Sequence, residues 1–147
     1  MKINKIIICL AAFIMLSAIP AFSQGQIKIV VNSTNIEAGQ ALGATLLLKG
    51  SGNYDVYAAL TGGVLGSSLF MFTQDGALVP FSSTMPKLRS NINISDLSVE
   101  QRMISLLPKF DIMDTSALKG IYTFYVALCT PGKLDFTELD FIKVEIQ

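Results

Sequence analysis

The segment Ile121 to Cys129 constrains this chain most. It is dense in β-branched and aromatic residues, which suits a pleated, half-buried strand. Alternation puts Tyr122, Phe124, Val126 and Leu128 on one face and Ile121, Thr123, Tyr125, Ala127 and Cys129 on the other. The same short, alternating pattern recurs along the chain, broken by turn residues every 8 to 12 positions or so, which reads as an antiparallel sandwich or barrel. Gln26 to Val31, Ala41 to Lys49, Tyr54 to Leu60, Leu69 to Phe72, Ala77 to Phe81 and Phe141 to Ile146 are the other expected strands. Gln74-Asp75-Gly76 signals a hairpin, and Pro80 confines its return strand to an edge. Arg102 to Leu107 fits a helix face through Val99, Met103 and Leu106. It fits a strand through Met103, Ser105 and Leu107. Period alone does not separate the two; the neighbouring strands favour a strand, ended by Pro108. Ser82 to Ser98 reads as a covering loop pinned by Leu88, Ile92, Ile94 and Leu97, and Asp114 to Gly120 as a tight turn with Leu118 tucked inward.

The N-terminus reads as an export signal. Lys2 and Lys5 precede eleven unbroken apolar residues, Ile6 to Leu16; Pro20 follows, and Ala21-Phe22-Ser23 places small residues where signal peptidase needs them. The run is shorter than the roughly 20 residues of a membrane span. Cleavage after Ser23 makes residues 1–23 a signal peptide and 24–147 a single domain beginning at Gln24, secreted or periplasmic, with no membrane insertion. Removing Lys2 and Lys5 takes the 11 basic side chains to 9 against 11 acidic, a net charge of −2. That balance excludes a strongly basic nucleic-acid binder. Cys9 leaves with the signal, so Cys129 has no partner for an internal disulfide and reads as a small core residue.

The stretch Lys119-Gly120-Ile121-Tyr122 has the form of a tyrosine corner, in which a tyrosine hydroxyl bonds back to the preceding turn. Three motifs accompany it: Asp55-Val56-Tyr57-Ala58-Ala59-Leu60, Gly120-Ile121-Tyr122-Thr123-Phe124-Tyr125-Val126-Ala127-Leu128 and Pro131-Gly132-Lys133-Leu134-Asp135-Phe136. With these the chain resembles, from about Ile36 onward, a group of small exported bacterial β-sandwich domains of unknown function. The resemblance implies an immunoglobulin-like sandwich of about seven to nine strands and carries no catalytic residues. This chain departs from the group after the central strand, where Thr61-Gly62-Gly63-Val64 replaces a Pro-Asp-Gly hairpin.

There is no histidine, so the commonest general base is absent, and no phosphate-loop pattern occurs. No cofactor is expected. Asp135, Glu138 and Asp140 offer three carboxylates in six positions, the beginning of a calcium site or, more simply, a solvated turn in which Asp135 bonds the backbone two residues on. Asp111 and Asp114 read as turn caps. The face opposite the core is more informative. On Tyr54 to Leu60 alternation sets Asp55, Tyr57 and Ala59 outward; in an immunoglobulin-like order this strand and the one bearing Tyr125 are neighbours, with Phe141 and Lys143 flanking from the last strand. That face is either a tyrosine-bearing recognition surface or a second small core under Ser82 to Ser98. The expected function is a non-catalytic module contacting an exported protein, a surface polymer or itself. The alternative is a small secreted hydrolase or inhibitor with an unconventional site.

Overall fold

The computed structural model describes residues 24–147; the signal-peptide reading falls on 1–23, outside the described residues. The described chain is all-β, with ten strands and no α-helix. A three-stranded antiparallel sheet holds β1 (Gln26–Val31), β3 (Gln40–Lys49) and β8 (Met103–Ile112) in the order β1-β3-β8. The larger sheet runs β2 (Asn35–Ile36), β10 (Glu138–Ile146), β9 (Gly120–Cys129), β4 (Asn53–Gly62), β5 (Phe70–Phe72), β6 (Leu78–Pro80), and β7 (Arg89–Asn93) also pairs with β4. The β2–β10 pair is parallel and the rest are antiparallel. Both sheets feed one core. Ile27, Ile29, Leu42, Leu46 and Ile104 come from the small sheet; Val56, Leu60, Phe124, Val126 and Val144 come from the large one. Phe124 stacks on Phe72 with ring centroids 6.5 Å apart. Asp140 links the sheets at one side, because its carboxylate accepts the Ile29 N–H at 3.0 Å and lies 3.5 Å from the Lys28 ammonium.

The expected strands form at β1, β3, β4, β9 and β10, and β9 buries the expected inward set Tyr122, Phe124, Val126 and Leu128. Three expectations need correction. Pro108 does not end its strand. β8 runs on to Ile112, because Gly43 alone faces Pro108 and Lys109 across a bulge on a sheet edge, where a missing N–H costs no ladder bond. Its inward residues are Ile104 and Leu106, while Met103 and Ser105 face out. Segment 82–98 is not only a loop. Leu88 and Ile94 are buried as expected, but β7 pairs with the first half of β4 while β5 pairs with the second, so two short strands share one edge. Leu118 is not tucked away; it stays 36% exposed and offers its carbonyl instead.

That carbonyl accepts the Tyr122 hydroxyl at 2.7 Å, and the hydroxyl oxygen in turn accepts the Val64 N–H at 3.3 Å. The tyrosine therefore staples two turns. Thr61-Gly62-Gly63-Val64 is built for it: a Cβ on Gly63 would meet the Tyr122 ring at 2.1 Å, and one on Gly120 would meet the Gly63 Cα at 2.8 Å. Both glycines also have positive φ, which other residues rarely adopt.

The facing sheets make residue parity on β9 measurable. Phe124→Ala should cost about 3–5 kcal/mol, as for other buried aromatic truncations. Tyr125→Ala, half-buried on the other side, should cost less than about 2 kcal/mol. Urea denaturation of both variants checks the order, and equal losses would contradict the assigned faces.

Candidate functional site

β4 and β9 are buried on both sides. One side joins the main core. On the other, Tyr57, Ala59, Met71 and Cys129 form a second apolar cluster with Leu69, Val79, Met85 and Tyr125 packed against it. The cluster does not close. An apolar groove of about 390 Å³ runs over Tyr57, Ala59 and Ala127, between a wall carrying Leu69 and Met85 and a wall carrying Tyr125, Phe136 and Leu139. Phe136 has φ +42°, a left-handed conformation unusual for an aromatic residue. Beyond this rim Phe141 leans on Tyr125, ring centroids 6.1 Å apart, and remains 57% exposed.

The four residues read from the sequence as a binding face are therefore divided. Tyr57 is only 5% exposed and forms floor rather than surface. Tyr125 is half-buried and lines the groove. Phe141 is exposed beside it. Lys143 is exposed further along β10, opposite Thr123, and does not line the groove. Segment 82–98 covers part of the face through Met85, so the face is partly second core and partly open groove. The acidic residues separate too. Asp135 accepts the Thr130 N–H at 2.8 Å, closing the β9–β10 turn from five residues downstream rather than bonding two residues on. Asp140 joins the sheets, and Glu138 begins β10. No group of three or more potential metal ligands gathers among the described residues. Asp114 accepts the Ser116 N–H at 2.8 Å, as a turn cap does.

Asp55, assigned by alternation to the outward set, is 0% exposed. A charge so buried persists only when paired and hydrogen-bonded. One carboxylate oxygen accepts the Asn91 N–H at 2.8 Å. The other accepts the Gly132 N–H at 2.9 Å and lies 2.8 Å from the Lys87 ammonium. The β4–β7 pairing explains the Asn91 contact. Tyr54 pairs with Ile92 and Val56 with Arg89, so Ser90 and Asn91 bulge opposite Asp55. Asn91 takes φ +47°, which asparagine tolerates. Burial alone pushes the Asp55 carboxyl up, but Lys87 and the two N–H donors outweigh it and hold it below its ordinary value of 3.8. The Asp55 carboxylate in turn raises the Lys87 ammonium. Burial raises both the Tyr57 hydroxyl and the Cys129 thiol, so neither is a ready nucleophile.

Asp55, Lys87, Met85, Phe136 and Leu139 were not singled out from the sequence. A signal existed only for Asp55, a lone acid inside an otherwise apolar strand, where unpaired charge is rare.

No family model matches the chain, and no curated protein matches it. Among solved structures the chain is similar to Spo0M, a sporulation control protein from Bacillus subtilis, with a TM-score of 0.37 and 11% sequence identity, over 84% of this chain and 49% of that one. The chain thus spans about half the length of that protein, and a likeness this loose says nothing of activity or partner.

The lowered Asp55 value has a defined consequence. The folded state releases this proton more readily than the unfolded chain. The resulting stability is present above 3.8 and is lost as the pH falls through the lower folded value. Below about pH 4 the wild-type protein should lose stability more steeply than Asp55→Asn. Urea midpoints across a pH series check this, and parallel profiles would contradict an ionised Asp55.

Proposed function

We propose that this chain is an exported, non-catalytic recognition module. In this reading residues 1–23 are a cleaved signal peptide, and 24–147 are an immunoglobulin-like sandwich that binds another exported protein through the groove on its large sheet. The observation that carries the reading is the groove's lining. It is apolar and aromatic, with Met71 and Met85 supplying adaptable side chains and only the hydroxyls of Thr61, Ser67, Tyr57 and Tyr125 among them. Such a surface suits an apolar side chain offered by a partner protein. A sugar polymer would call for more hydrogen-bonding groups. A hydrolase would need an activated nucleophile; burial raises the Tyr57 hydroxyl and the Cys129 thiol, and the sequence holds no histidine to activate the Thr61 or Ser67 hydroxyl. The tyrosine corner and the antiparallel β4–β9 pair support the immunoglobulin-like reading. The N-terminal sequence pattern, Lys2 and Lys5 before an apolar run that ends at Ala21-Phe22-Ser23, supports export.

The test uses the rim, because Tyr57 is too buried to change without disturbing the fold. Leu139→Ser with Phe141→Ser alters two exposed side chains beside the groove. The variant should unfold at nearly the wild-type urea concentration. In affinity capture from envelope and culture-medium fractions it should lose a protein species that the wild type retains. Equal recovery by both, or recovery of polysaccharide alone, would contradict the reading.

A further inference from the structure

We propose that Asp55 is a clasp that sets the spacing between the two walls of the groove, so that releasing it opens both walls together. The Met85 wall is an arch. Phe81 N–H donates to Leu69 O at one foot and Leu88 N–H to Val56 O at the other, both at 2.8 Å. Between those feet Lys87 reaches inward to Asp55, and just beyond them Asn91 N–H does the same. The Phe136 wall belongs to the β9–β10 connection. Gly132 N–H binds the same carboxylate, and the Thr130–Asp135 bond holds that connection folded. One side chain on β4 therefore anchors both walls, and only the ionised carboxylate offers two acceptor oxygens and a charge to serve all three donors at once. Met85 and Phe136 both line the groove, so the spacing of the two segments that carry them sets the room offered to an incoming group. The clasp matters for recognition only if the groove is the binding site, but its existence is measured without any partner.

Cys129 provides the measurement. It faces Asp55 across the β4–β9 pair and is 0% exposed in the cluster beneath the walls. The exported chain would hold no other thiol. Its labelling by a small uncharged disulfide should proceed, in the wild type, at a rate nearly independent of low urea, the mark of local opening. Lys87→Met cuts the arch from the clasp and should raise that rate about tenfold or more, beyond what its change in global stability accounts for. Lys49→Met, an exposed lysine at the end of β3 in the small sheet, should leave the rate unchanged. A rate that rises with urea as steeply as global unfolding would overturn the clasp. So would a Lys87→Met rate explained by lost stability alone. If Lys87→Met does not fold, the urea dependence of the wild type decides alone.

Discussion

A carboxylate fixed to the middle strands of a β-protein loses its water, and the chain around it must replace what water supplied. Asp55 does this with an ammonium and two backbone N–H groups from two separate segments. Removing any one leaves a buried charge less compensated, which is why such clusters are costly to break although they add little net stability. The bulge at Ser90 and Asn91, the tight turn at Gly132 and the course of the arch over Tyr57 all converge on this one group. The main core is secured by ordinary apolar packing. The outer face is secured by Asp55.

This division separates what the sequence reveals from what it hides. Alternation is a local property, so β1, β3, β4 and β9 are legible, and so is the inward set Tyr122, Phe124, Val126 and Leu128. The tyrosine corner is legible because its hydroxyl bonds only four residues back. Alternation names the two sides of a strand but not what covers them. Asp55 and Tyr57 read as outward, and they are; they are also buried, because residues some thirty positions downstream fold across them. The lysine that pairs with Asp55 sits in the least regular stretch of the chain, where no period marks it. Pro108 misleads for a related reason: a proline stops a strand only where its N–H would have been needed.

The groove is a by-product of incomplete cover. The arch supplies Met85, the β9–β10 connection supplies Phe136, and Tyr57, Ala59 and Ala127 form the floor between them. Tyr125 and Phe141 extend the apolar surface along the rim. Of the face expected from the sequence, Tyr125 and Phe141 belong to this site, Tyr57 supports it from below and Lys143 lies outside it. The width of the groove depends on how firmly its walls are held.

Hydrogen exchange of two amides tests the shared anchoring most directly. Asn91 and Gly132 are 41 residues apart in sequence and belong to opposite walls, yet both donate to Asp55. If one carboxylate holds both walls, the two amides share one protection factor in the wild-type protein and lose it together in Asp55→Ala, which removes both acceptor oxygens, while amides in the middle of β9 keep theirs. Unequal protection, with one amide exchanging freely and the other retained, would contradict a common clasp.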